Sequence, residues 1–141
     1  MRLPGRILVG LKTLDHVDEL MDLACRLGSP GALLRLVHVI ELPDPTPLDA
    51  SVPDLEDMAK EILEKAEGIA RQCKMNVSTV VLRAHSASST LADELAENNI
   101  ELAVLGYHHR RSFGEILLGT TAQHMAKNAP CRILLSIPPR A

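Results

Sequence analysis

Aromatic residues are nearly missing from this chain. Among its 141 residues there is one Tyr, one Phe and no Trp. Binding modes that stack bases on aromatic platforms therefore have nothing to work with. Blocks of Lys or Arg are missing too, and the formal net charge is −3. A basic footprint for nucleic acid or for an anionic membrane surface is not there. The three cysteines, Cys25, Cys73 and Cys131, form no CxxC pair. That argues against a disulfide framework and against a zinc knuckle. The apolar run in MRLPGRILVGLK is too short for a signal peptide, and no run approaches a membrane span. The expected setting is a reducing cytoplasm.

What is present is aliphatic. Apolar residues make up 46% of the chain, enough for one real core in one domain spanning 1–141. Short β-rich runs alternate with helical stripes. Arg6–Leu11 (RILVGL) reads as a buried strand. Residues 14–27 place Leu14, Val17, Leu20, Met21, Ala24 and Leu27 on one helical face, and Gly28-Ser-Pro-Gly31 stops that helix. Ala32–Ile40 is a second strand. Glu41–Pro53 carries prolines at 43, 45, 47 and 53 and reads as an extended loop, mobile or facing a partner. Asp54 is the expected N-cap of a long helix. Its stripe runs through Leu55, Met58, Ala59, Ile62, Leu63, Ala66, Ile69, Ala70 and Cys73.

Val77–Arg83 is a third strand, rich in β-branched residues. Ser88 or Ser89 is the expected cap of a third helix, with Leu91, Ala92, Leu95 and Ala96 facing inward. Leu102–Gly106 is a fourth strand. Gly119-Thr120-Thr121 opens a fourth helix through Lys127, and Arg132–Ile137 is a fifth strand ended by Pro138-Pro139. Strands separated by helices require right-handed crossovers. The predicted fold is α/β: a doubly wound, five-stranded parallel sheet, Rossmann-like, with helices on both faces.

Such sheets bind ligands at the carboxyl ends of their strands, near the point where strand order reverses. Three ends stand out: Gly10-Leu11-Lys12, His38-Val39-Ile40 and Leu105-Gly106-Tyr107. A glycine at a strand exit admits close approach to the backbone. Gly119-Thr120 at a helix start offers free N–H groups, a hydroxyl and the positive end of the helix dipole, which together suit a phosphate. The plainer reading is that Thr120 caps its own helix.

The segment from Gly106 to Thr120 resembles the glycine signature of universal stress proteins: Gly, two residues, Gly, nine residues, then Gly-Ser or Gly-Thr. Gly106 and Gly119-Thr120 fall in register. The ILVGL strand and the Ala129-Pro130-Cys131 step into the last strand fit as well, so the resemblance covers nearly the whole chain. It implies a flavodoxin-like sheet and a homodimer paired through the last strand, Arg132–Ile137. In the nucleotide-binding branch it implies ATP, with magnesium, or AMP or cyclic AMP, bound across the strand ends. The resemblance then places Gly10, Lys12 and Val39 near adenine and ribose. It places Leu105, Gly106, His109, Gly119, Thr120 and Thr121 around ribose and phosphates. Two positions depart from the pattern. His109 stands where the signature has its middle glycine, and Lys12 stands where an acidic residue is usual. An ammonium donates hydrogen bonds where a carboxylate accepts them, so both changes work against ATP unless these cations meet phosphate.

Other residues carry plainer readings. His108-His109 has no partner at HxxxH or HExxH spacing, and no metal site is expected. Cys25 and Cys73 continue helical stripes and read as small buried hydrophobes, without an adjacent base to activate them. His38, inside a strand, reads as a core or pocket-wall residue. The serines at 86–89 read first as a helix cap and second as ligand contacts. Walker A, GxSxG and kinase signatures are all missing, so an enzyme is not expected. A regulatory nucleotide-binding domain of stress or energy response is the leading function. A dimerisation or interaction module without nucleotide is the alternative. The stretch Val39–Leu48 also resembles the first loop of stress-protein domains fused to cation or amino-acid transporters, which implies transporter regulation.

Overall fold

The computed structural model describes residues 2–107 and 120–139. Five parallel strands form one sheet in the order β3-β2-β1-β4-β5. The strands are β1 (Arg6–Gly10), β2 (Leu33–Glu41), β3 (Asn76–Ala84), β4 (Leu102–Gly106) and β5 (Arg132–Ser136). The helices are α1 (Val17–Leu27), α2 (Pro53–Gln72), α3 (Ala87–Glu97) and α4 (Thr120–Asn128), with a short 3-10 turn at Leu14–His16 before α1. The predicted element order and doubly wound fold are present. α1 and α2 cover one face, and α3 and α4 cover the other.

Strand alternation explains the two cores. Ile7, Val9, Leu34, Leu36 and Val104 pack with Leu20, Met21, Ile62 and Ala66 on the α1/α2 face. Leu8, Val37, Ala103 and Leu105 pack with Leu91, Leu95 and Met125 on the α3/α4 face. Strands buried on both sides are apolar at most positions, which is why they read as near-continuous runs rather than as alternation. β1 is paired on both edges, in register with β2 (Leu8 opposite Arg35) and with β4 (Gly10 opposite Leu105).

Several local expectations need correction. Residues 14–27 are not one helix: a 3-10 turn precedes α1. Asp54 does not cap α2; Val52 is the N-cap, Pro53 opens the helix and Asp54 lies inside its first turn. Proline at that position suits the fold, because its missing N–H would have no helical partner there. Val52 also packs on Ile40, Leu42 and Ala59. Leu55 and Met58, expected on the inner stripe, are exposed at 45% and 43%. Ser86, not Ser88 or Ser89, is the N-cap of α3, and Ser88 is buried within the helix. Ala96 and Cys73 face solvent rather than the core. The proline-rich loop is pinned: Arg83 Nη1 donates to the carbonyls of Ala50 (2.7 Å) and Leu48 (3.2 Å) and Arg83 Nη2 pairs with Glu56.

α2 and α3 both end on a non-glycine residue in the left-handed region, Lys74 (φ 60°) and Asn99 (φ 53°). After α2, Met75 N–H reaches back to Ala70 O (3.0 Å) and Lys74 N–H to Arg71 O (3.1 Å). That is a Schellman closure, which satisfies carbonyls the helix end would leave open.

One charged pair holds α3 to the sheet. Arg35 Nε donates to Glu94 Oε2 at 2.8 Å, and Asn98 Nδ2 donates to the same oxygen at 3.0 Å. The two side chains are only 21% and 11% exposed. Removing one partner strands the other in a poorly solvated place. Glu94→Leu should therefore lower stability by roughly 2 kcal/mol, read as a lower urea midpoint. Adding Arg35→Met should recover part of that loss.

Candidate functional site

Strand order reverses between β1 and β4. β1→β2→β3 winds one way with α1 and α2 on one face, then the chain returns through α3 to β4 and winds the other way. The helices that follow β1 and β4, α1 and α4, lie on opposite faces of the sheet, and a crevice opens at the carboxyl ends of the two strands. Here that crevice is a cavity of about 630 Å³. Its floor is Gly10, Val37, Val39, Leu105 and Gly106, its walls are Lys12, Ser86 to Ser88 and Leu91, and Thr121 and Ala122 of α4 close one side. This volume is ordinary for a small-molecule site.

The site residues expected from sequence divide cleanly. Gly10, Lys12, Val39, Leu105, Gly106 and Thr121 line this one cavity. Thr120 is the first residue of α4. His109 and Gly119 lie outside the described residues. His38 is not a pocket wall. It lies on the α1/α2 side of β2, it is 8% exposed, and its Nδ1 sits 2.6 Å from Leu11 O.

The two glycines do different work. A Cβ on Gly10 would lie 2.6 Å from Leu105 Cδ2, so the bare backbone of β1 lets Leu105 lie across it on the cavity floor. A Cβ on Gly106 would instead meet His16 Nδ1 at 3.2 Å and Leu20 Cδ1 at 3.3 Å. Gly106 lacks a side chain on the α1 face, where the helix approaches, as well as exposing backbone to the cavity.

Sequence reasoning missed Glu41 and His85 as lining residues and named Tyr107 only as part of a strand exit. Glu41 Oε2 accepts the Ala87 N–H at 2.8 Å, so a carboxylate sits on the first turn of α3. His85 Nδ1 lies 2.9 Å from Leu42 O and 3.3 Å from Asp44 Oδ1. Both residues sit where a strand exits (β2 into Leu42, β3 into Ser86), and that position was the signal available. Lys12 is exposed on the rim and supplies positive charge. Next to it, Thr13 Oγ1 is buried without a hydrogen-bond partner among the described residues. α4 directs its first turn, with N–H groups unused inside the helix, toward the cavity.

A second concavity of about 500 Å³ lies between α2 and the β3 edge. Its charges pair with one another, Arg83 with Glu56 and Lys60 with Glu64 (4.0 Å), which leaves little for a ligand. Among the described residues no three His, Cys, Asp or Glu side chains gather as a metal site, and no helix is long and apolar enough to cross a membrane.

Comparison with known proteins agrees with this fold. A Thermus aquaticus universal stress protein is 27% identical over 135 residues, 92% of this chain and 96% of its own length. The universal stress protein from Archaeoglobus fulgidus in complex with dAMP superposes with a TM-score of 0.68 at 19% identity, covering 95% of this chain and 98% of that one. An Arabidopsis thaliana universal stress protein family protein with AMP bound gives 0.64 at 13% identity, covering 96% and 93%. The universal stress protein family model matches residues 4–136, and the chain belongs to that family.

Proposed function

We propose that this domain binds an adenine nucleotide in the β1/β4 crevice and acts as a regulatory binding domain rather than an enzyme. The observation that carries the reading is a single cavity that gathers Gly10, Lys12, Val39, Leu105, Gly106 and Thr121 from distant parts of the chain. Its chemistry is graded. Val37, Val39 and Leu91 form an apolar wall suited to a purine ring, and Glu41 offers an acceptor for ribose or amino groups. Lys12 and the start of α4 supply positive potential for phosphate. Solved relatives carry dAMP and AMP, which favours a monophosphate or a larger adenine nucleotide, with magnesium if the ligand is ATP. His109, Gly119 and Thr120 belong to the proposed phosphate side by resemblance.

AMP or ATP with magnesium at millimolar concentration should raise the Tm. Saturation at a hundredfold over Kd contributes about 2.7 kcal/mol, a shift of several degrees. The absence of any shift with AMP, ATP and cyclic AMP rejects the reading. Lys12→Ala, at an exposed position, should leave the fold intact. It should weaken ATP binding roughly 3- to 10-fold and flatten its salt dependence, with a smaller effect on adenosine. Equal affinity of the wild-type protein for ATP and adenosine at low salt would show that no phosphate subsite exists.

A second reading is an interaction module. β5 is an edge strand whose residues are mostly half-buried, and Ile137 just beyond it is 42% exposed. An open apolar edge invites pairing with a second copy. Sedimentation should then show a dimer, and Ile133→Lys with Ile137→Lys should shift it to monomer. The exposed Leu48, Leu55 and Met58 beside the pinned proline-rich loop offer the surface through which a transporter would be regulated.

A further inference from the structure

The lining of the crevice is chemically divided. Lys12, just beyond β1, and the first turn of α4 carry positive potential. Glu41 and His85, at the exits of β2 and β3, carry hydrogen-bond acceptors. In the sheet order, β2 and β4 are two strand positions apart, about 10 Å. A nucleotide covers such a span from its base to its phosphate.

Hydrogen bonds tie the β2 and β3 exits together. Glu41 and Ala84 are in register, and the Leu42 N–H donates to Ala84 O at 2.8 Å. His85 Nδ1 lies 2.9 Å from Leu42 O and 3.3 Å from Asp44 Oδ1. A carbonyl and a carboxylate can only accept, so Nδ1 carries the ring hydrogen. Nε2 of the neutral ring is then an acceptor. Glu41 Oε2 takes the Ala87 N–H at 2.8 Å, while Oε1 has no partner among the described residues. The neighbouring hydroxyls of Ser86 and Ser88 bond to each other at 3.0 Å. Glu41 also keeps phosphate away from this end. The start of α3 would otherwise attract an anion, and the chain's own carboxylate already occupies it.

Resting on the reading that the crevice binds a nucleotide, we propose that Glu41 and His85 select its base, favouring one with an exocyclic amino group over one with a carbonyl there. Glu41 Oε1 accepts a hydrogen of the amino group, and His85 Nε2 stands beside it as a second acceptor. A carbonyl at the same place gains no hydrogen bond and brings its lone pairs against a carboxylate. Selection thus uses repulsion as well as attraction. Both side chains stand at the exposed mouth of the cavity. Discrimination is therefore about tenfold, not the far larger ratio of a closed site.

The test is calorimetric titration of the folded protein with AMP and with inosine monophosphate. The two share ribose and phosphate and differ in that amino or carbonyl group. AMP should bind about tenfold more tightly. Glu41→Gln keeps an oxygen for the Ala87 N–H and turns the group facing the ligand from acceptor to donor. It should bring the affinity ratio of AMP to inosine monophosphate to about one or below, by weakening AMP and strengthening its rival. His85→Ala should lower the same ratio about threefold, which keeps the test open should Glu41→Gln fail to fold. Equal affinity of the wild-type protein for both ligands overturns base selection and leaves nucleotide binding standing. Equal weakening of both by Glu41→Gln assigns Glu41 to the start of α3 alone and overturns it as well. Binding of neither ligand rejects the nucleotide reading itself, and base selection falls with it.

Discussion

A parallel sheet has to be covered on both faces, because each of its strands is connected to the next by a helix that packs back onto the sheet. That constraint makes the interior strands largely apolar, with Arg35 of β2 tolerated because it pairs with Glu94 of α3. It splits the core into an α1/α2 half and an α3/α4 half. It also forces the strand order to reverse somewhere, here between β1 and β4. The crevice is a by-product of that reversal: the helices that follow the neighbouring strands β1 and β4 lie on opposite faces of the sheet. The site is therefore a consequence of how the sheet is buried, and only its lining is left for evolution to choose.

The lining reflects a chain almost without aromatics. The apolar walls of the crevice are mostly aliphatic, Val37, Val39, Leu91 and Leu105, with Tyr107 an aromatic beside them. Gly10 makes room for Leu105 to lie across β1, so one residue's missing side chain shapes another's position. Charge is sparse and divided. Lys12 is on the rim, and Glu41 is already engaged with the N-terminus of α3.

Much of the fold was legible because burial on both faces writes itself into sequence as short unbroken apolar runs. RILVG, LAVLG and RILLS needed no partner to be recognised as strands. Helix ends were harder. Asp54 looks like a better cap than Val52 by side-chain chemistry, yet Pro53 fits the first helical position, and Val52 is held there by packing on Ile40, Leu42 and Ala59. Leu55 and Met58, whose spacing alone places them inside, are exposed on α2. Lys74 and Asn99 in the left-handed region carry no glycine signal, and their helix ends are decided by the backbone bonds they complete.

By itself the sequence determined the alternation of strands and helices, the aliphatic character of the core, and the family to which the chain belongs. Those properties depend on local pattern and composition. Only the tertiary structure decided which strand ends adjoin, that Gly106 yields to α1 at His16 and Leu20, and that Glu41, His85 and Tyr107 share a cavity with Lys12. The reason is physical. Contacts between residues dozens of positions apart are set by crossover handedness and sheet order, and no short-range pattern records them.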